Sequence, residues 1–398
     1  MPLAERQRLQ HAAPPALPMT PTSGTTGNDK IVGIELLRFA SAVSVLVFHY
    51  YLFLGIETTG NNLDSLDVER LPFYSFLKPL YAEGGRGVQV FWCISGFIFF
   101  WKYGEPISRR KTAGFEFFVL RFSRLYPLHF LTLMLVALLQ SVYFLKAGSY
   151  FVYQNNDWYH FILQLLFASD WGFQKAFSFN GPIWSISVEV LVYALFYFTV
   201  RHGGVSPLTM VLISAAAGAV FVSHLTFNPL FSCIMLFYIG GFTALVFKKV
   251  GANERLSSLV STLALVVIAA VVTAISLRTG MTRKISPYWY VLVCSPALIF
   301  LFAKHLQLSG RWAVFLSVLG NMTYSSYLLH FPLFLLVATL AKHADATIPL
   351  NEPLFFTCFI GITLTLSYFC YRYVEMPSQD WIRRRLLLRQ RSAAAYRY

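Results

Sequence analysis

Three ionisable residues share one stripe of an apolar segment of membrane length. Residues 31–54, IVGIELLRFASAVSVLVFHYYLFL, carry Glu35, Arg38 and His49. A charge in hydrocarbon costs at least ~2.5–3.5 kcal/mol on insertion scales, so these residue types need a polar purpose there. Arg38 and His49 are 11 positions apart, which is three helical turns plus about 20°. They therefore lie on one helix face, about 16.5 Å apart along the axis. Glu35 falls one turn before Arg38 on nearly the same face. The chemistry this spacing suits is a polar cavity with a fixed charge near one mouth and an acid/base group deep inside. An imidazole exchanges protons near neutral pH and fits the second role.

Five further segments carry candidate chemistry. GGRGVQVFWCISGFIFF holds glycines 84, 85, 87 and 96 with Ser95. Such small residues either let helices pack closely or, at Gly87, Ser95 and Gly96, line a narrow channel for a linear substrate. In FFVLRFSRLYPLHF, Arg121 and Arg124 are three apart on one helix face,. They are either positively charged anchors at the cytoplasmic interface or a guanidinium pair for phosphate, whose oxygens match planar donors. His129, a little deeper, reads as a satisfied buried histidine. WSISVEVLVYALFY places Glu189 inside an apolar span with Tyr193 one turn later; a carboxylate there must be paired, protonated or facing water. In YSSYLLHFP, Ser326 and His330 are four apart and Tyr327 and His330 three apart, forming either a hinge before Pro332 or part of a site. YRYVEMP ends the last span, with Glu375 available to cytoplasmic arginine and Pro377 stopping the helix.

The elements that must position these groups are membrane spans. The chain of 398 residues is 56% hydrophobic and 13% charged, against a usual ~25% charged for soluble domains. Ten apolar stretches approach the roughly 17–25 residues a span needs: 31–54, 87–104, 125–145, 184–200, 206–224, 229–247, 257–277, 287–303, 314–341 and 353–373. The fold expected is an all-α, polytopic helix bundle, with the ninth span broken at Pro332. With both termini cytoplasmic, about 22 of the 32 Lys and Arg lie inside, the positive-inside pattern. The net charge of +14 is thereby explained without nucleic acid. Residues 1–29 read as a disordered cytoplasmic segment, 30–380 as the membrane domain and 381–398 as a basic cytoplasmic tail facing lipid. The long connections 55–86 and 146–183 fall outside. The five cysteines are scattered without a C-x-x-C pair, giving no disulfide framework and no metal site.

Taken in order, Arg38-x10-His49, GGRGVQVFWCISG, RFSR, WSISVEVLVY, YSSYLLHFP and VEMP resemble the membrane-bound acyltransferase-3 family across roughly residues 31–380. The resemblance implies transfer of an acyl group, acetyl above all, from cytoplasmic acyl-CoA to a carbohydrate hydroxyl. The acceptor would be a surface or exopolysaccharide or its lipid-linked precursor, at the bacterial inner membrane. It implies that His49 matches the catalytic histidine, Arg38 its partner, and Arg121 and Arg124 the R-x-x-R motif tied to the donor. Acyl-CoA is then a co-substrate and no cofactor is permanently bound. Trp92 and Cys93 stand where a second Phe and an aliphatic residue are commoner.

In the mechanism this suggests, Arg121 and Arg124 hold the phosphate end while the pantetheine arm runs along the second span toward His49. His49 removes the acceptor's proton or becomes acylated itself. Glu189 orients the imidazole, and Arg38 holds the thioester or the developing oxyanion. Two alternatives stay open: a transporter or flippase of a lipid-linked saccharide, and an acyltransferase acting on a small-molecule glycoside such as a macrolide. Oligomeric state is not legible.

Overall fold

The computed structural model describes residues 31–51, 68–223, 229–277 and 287–395. The expected disordered segment at 1–29 lies outside them. All regular elements among the described residues are helical. Helix α1 (Val32–His49) carries the opening stripe. After the next described stretch, α2 (Tyr74–Glu83) leads through a glycine turn into α3 (Gly87–Lys102), and the short α4 (Gly104–Ser108) precedes α5 (Gly114–Ala147). The short α6 (Trp158–Leu165) is followed by α7 (Trp184–Gly203), α8 (Pro207–Val222) and α9 (Leu230–Val250). The order ends with α10 (Glu254–Leu277), α11 (Pro287–His305), α12 (Gly310–Asn321), α13 (Thr323–His343), α14 (Pro353–Cys370) and α15 (Met376–Ala395).

Each of the ten apolar stretches overlaps a described helix, the ninth being divided between α12 and α13. Among the described residues, seven helices are long and apolar enough to cross a membrane: α1, α5, α7 with the turn before it, α9, α10, α13, and α14 continued into α15. The remaining three stretches form α3, α8 and α11, which fall short of that length or hydropathy. The tight turn between α7 and α8 has a clear local cause. Gly204 adopts φ 68°, a conformation that costs glycine little. Ser206 then caps α8 by accepting the Thr209 amide at 3.4 Å, with Pro207 in the first turn,.

Close packing rests on glycine at one crossing in particular. Gly96 of α3 lies against the backbone of Phe237 in α9, and Gly240 of α9 against the backbone of Cys93 in α3. A Cβ at either position would overlap a peptide carbonyl, so the two backbones touch reciprocally. Aromatic rings fill the space around this crossing; Phe99, Phe196 and Phe237 are buried and packed edge to face. A second apolar cluster, with Tyr50, Phe331, Phe334, Phe356 and Phe359, closes the bundle at the far end of α1.

Three expectations about chain path are corrected. The long connection 146–183 does not stay at the end of the bundle. Helix α5 is 34 residues long, about 51 Å, against a hydrocarbon thickness of ~30 Å. The chain turns at Gly148 and descends along α5. Gln140 pairs with both backbone groups of Phe151, at 2.9 Å each, and His129 Nε2 donates to the Gln164 carbonyl at 2.7 Å. His129 lies about 27 Å below Ala147 along α5. The irregular backbone can descend because buried side chains take up its polar groups.

The second correction concerns Pro332, which does not break α13; the chain breaks instead at Met322, between α12 and α13. A proline leaves the carbonyl four residues earlier without its helical donor. That carbonyl is Leu328's, and Asn180 Nδ2 donates to it at 3.2 Å. The third concerns Pro377, which does not end the last helix. A π turn at Tyr371–Glu375 absorbs the irregularity, and α15 begins one residue before the proline,.

Replacing Gly96 by Val should remove most of the monodisperse folded protein in detergent, because the α3–α9 crossing cannot open without losing its aromatic packing. Gly361, with open space around it, should accept Ala with no loss; size-exclusion profiles and thermal unfolding of both variants check this.

Candidate active site

The polar residues of the bundle gather in two places. The first is a cavity of about 250 Å³ bounded by α1, α3, α5, α7 and α13. Arg38, Ser95, Arg121, Arg124, Glu189 and Tyr193 all line it. Arg38 enters from α1, where its Nη1 pairs with Glu35 at 2.9 Å and its Nη2 donates to Thr323 Oγ1 at 3.2 Å. Glu35 is buried against Gly320 of α12; a Cβ there would meet its carboxylate, so Glu35 both neutralises Arg38 and seats α12 on α1.

The two arginines of α5 differ in how they are held. Arg124 forms an ion pair with Glu375, which is 1% exposed, and donates to the Asn321 carbonyl at 3.2 Å. Ser325 donates to the same carboxylate at 2.8 Å and Gln379 at 3.2 Å. Arg121 has no carboxylate in ion-pair contact among the described residues. Its Nη2 donates to the Tyr103 hydroxyl at 2.6 Å. Its guanidinium lies 4.9 Å from the ring centroids of both Phe99 and Tyr103, an arrangement that holds a cation by ring quadrupoles without cancelling its charge. Glu189 faces Ser95 and Tyr193, with Arg38 and Arg121 acting on its charge across the cavity. Its buried Oε1 has no hydrogen-bond partner among the described residues. Tyr193 is stacked on Phe99 at 4.3 Å.

The second place is a histidine pair. His49 at the end of α1 and His330 of α13 stack with ring centroids 4.9 Å apart and planes 10° from parallel. His330 is fully buried, with the backbone of Ser326 and Tyr327 in its own helix acting on its ring, and His49 Nδ1 is buried beside it without a hydrogen-bond partner among the described residues. Tyr327 links the two places. It lines the cavity, its ring is 5.8 Å from that of His330, and its hydroxyl donates to the Pro182 carbonyl at 2.8 Å.

Residues 31–372 match the acyltransferase domain of the acyltransferase-3 family. The chain belongs to that family. It is 27% identical over 281 residues to the acyltransferase MdmB of Streptomyces mycarofaciens, an alignment spanning 62% of this chain and 67% of that one. No solved structure matches it. The protein is therefore an acyl-transferring enzyme of the membrane, and the transporter alternative gives way to it.

Several candidate residues of this acyltransferase stand where the spacing places them, and others do not. Arg38, Ser95, Arg121, Arg124, Glu189 and Tyr193 share one cavity. Gly87 and Gly96 do not line it. They lie against α1 and α9, and a Cβ on Gly87 would stand 2.6 Å from the Ser41 carbonyl oxygen; both serve helix approach. Ser326 spends its hydroxyl on the Thr323 carbonyl at 3.0 Å. His49 meets His330, not Glu189. The contact of His49 with α13 was hidden because sequence spacing fixes neighbours within a helix but not between helices. Glu375 was legible as an arginine partner, but its depth was not.

A double-mutant cycle should expose the Arg124–Glu375 contact. Glu375→Ala and Arg124→Ala should each lower the thermal midpoint sharply, since removing one partner of a buried pair costs about 3–5 kcal/mol. The double variant should lose less than the sum; strict additivity would show the pair to be uncoupled.

Proposed function

We propose that this acyltransferase moves an acetyl group from cytoplasmic acetyl-CoA to a hydroxyl of a carbohydrate acceptor, with His49 as general base. What carries the reading is the contrast between the two ends of the site. At one end Arg121 holds a positive charge that no carboxylate contacts among the described residues. At the other, His49 stacks on the buried ring of His330, and its buried Nδ1 has no hydrogen-bond partner among the described residues. A phosphate-bearing donor with a distant thioester needs both ends: a cation for its charges, and a proton acceptor where the acyl carbon stands.

On this reading the phosphates dock at Arg121, with Arg124 contributing field while Glu375 holds it in place. The pantetheine arm follows the cavity past Ser95 and Tyr327. His49 takes the proton from the acceptor hydroxyl as its oxygen attacks the thioester carbonyl. The tetrahedral intermediate collapses, the carbon–sulfur bond breaks, and the proton on His49 passes to the departing CoA thiolate. The stacked ring of His330 fixes the plane of His49, the orienting role first expected of Glu189. Arg38, paired with Glu35 and tied to Thr323, sets the charge of the cavity wall. The bias of Lys and Arg toward one side supports a cytoplasmic mouth at Arg121, and a bacterial cell membrane is the setting proposed.

Labelled acetyl-CoA given to membranes should yield labelled acceptor with wild type and none with His49→Ala at equal expression; activity near wild type in that variant would refute the base assignment. Mass spectrometry of surface polysaccharides from cells with and without the chain would show the acetyl group gained. Label found instead on a small glycoside would move the acceptor class while leaving the donor chemistry intact.

Arg121→Ala should raise the KM for acetyl-CoA at least tenfold, the loss of one charge-assisted hydrogen-bond donor, and leave acceptor preference unchanged. An unaltered KM would reject the phosphate role.

A further inference from the structure

The tail helix α15 reaches the arginine pair of α5 with a third arginine. Arg383 Nε donates to Ser123 Oγ at 3.0 Å, and its Nη2 donates to Gln379 Oε1 at 2.9 Å. Ser123 is fully buried and stands between Arg121 and Arg124 in the chain. Gln379 in turn donates to Glu375, the carboxylate that closes on Arg124. Arg383 is thus held in an oriented position beside the cavity's charged end, and Arg121 and Arg124 act on its charge.

The local balance of charge points to an anion. Three guanidiniums converge, and Glu375 is committed to one of them. Neither Arg121 nor Arg383 makes an ion pair with a carboxylate among the described residues; Asp380 acts on Arg383 only from beyond that distance. Like charges held together by hydrogen bonds cost energy unless an anion joins them. Arg384 and Arg385 differ in kind. Both are exposed, and Arg385 lies 5.4 Å over the exposed ring of Trp381, the arrangement of a face turned to lipid headgroups. Arg383 instead points at α5.

We propose that Arg383 is a phosphate ligand for the acyl-CoA donor, acting with Arg121 at the cavity mouth. The proposal rests on the donor reading above and adds a residue to it. Coenzyme A carries phosphate at two places, a diphosphate and a ribose 3′-phosphate, and so can occupy two separate guanidiniums.

The test compares acetyl-CoA with S-acetylpantetheine, which has the thioester and the pantetheine arm but neither phosphate nor nucleotide. Both donors are given to wild type, Arg383→Ala, Arg383→Lys and Arg384→Ala in vesicles of phosphatidylcholine alone or with phosphatidylglycerol. Arg383→Ala should raise the KM for acetyl-CoA roughly tenfold with kcat kept, and leave S-acetylpantetheine unchanged. Arg383→Lys should recover part of the loss, and Arg384→Ala should show none. An equal rise for both donors would make Arg383 a packing residue. A rise confined to phosphatidylglycerol vesicles would make its anion a lipid headgroup, and no rise would remove it from binding; each overturns the proposal. Wild type taking both donors with equal KM would overturn the donor reading itself, a result separable from failure at Arg383 alone.

Discussion

A carboxylate 1% exposed inside an apolar bundle has to be neutralised where it stands, and Glu375 is neutralised by Arg124,. Much of the cavity's geometry follows from that contact. Ser325 and Gln379 complete the shell around the carboxylate, so α5, α13 and α15 are fastened at one point. Arg124 also donates to the carbonyl of Asn321, the last residue of α12, where a cation is favoured by the helix dipole. The chain can therefore break at Met322 and restart as α13 without leaving that helix end unsatisfied. One turn on, Tyr324 donates to the Leu125 carbonyl at 2.6 Å and sets the depth of α13 against α5. The π turn at Tyr371–Glu375 delivers the carboxylate to this spot; such turns recur at functional sites.

The same requirement, applied to backbone, explains how the irregular part of the chain is tolerated. Between Gly148 and Gly181 the chain has only the short α6, yet it runs down α5 to the level of His129. Gln140, His129, Gln164 and Asn180 each satisfy a backbone carbonyl that no regular helix bond serves. Asn180 does double duty, tying the descending segment to the carbonyl that Pro332 leaves open. The segment then feeds α7 from within the bundle, and Ser187 receives both the Asp170 amide and the Trp171 indole at 2.9 Å. Glu189 stands half a turn beyond. Its position in the cavity is set by where this segment stops descending.

The sequence was most legible where periodicity and hydropathy act along one helix. The Glu35–Arg38 neighbourhood, the Arg121–Arg124 face and the all-helical membrane character could be read from spacing and hydropathy alone. What could not be read was whatever depends on a partner helix. Gly96 looked equally suited to channel wall or packing, and only the backbone of Phe237 decides. Pro332 looked like a break because the donor that spares it, Asn180, lies 152 residues away. Arg383 sat among three consecutive arginines, and nothing in that run distinguished the one that turns inward. The descent of 148–183 was hidden because its polar side chains look like those of a surface loop; buried glutamines that serve backbone are not distinguishable in composition from solvated ones.

Arg121 and Arg124 show that two arginines on one face of a helix need not be equivalent. Both enter the cavity from one face of α5, but protein structure neutralises one and leaves the other's charge to aromatic rings. Ring quadrupoles attract a cation without supplying a counter-charge, so Arg121 can still bind an anion at full strength while being held still. Arg124 could do so only by giving up Glu375, at the cost of a buried uncompensated carboxylate. If a polyanionic donor docks at Arg121 as proposed, a site that takes it up and releases it on each cycle is served by this division. One guanidinium fastens the helices through Glu375 and Asn321, and the other would be the one to meet the ligand. The histidine end has the complementary property. His49 Nδ1 is buried without a partner among the described residues, so it stands to gain when a hydroxyl group arrives to pair with it,. The two ends of the site are thus prepared for different groups by the same rule, that a buried polar atom left without a partner is where a ligand stands to gain.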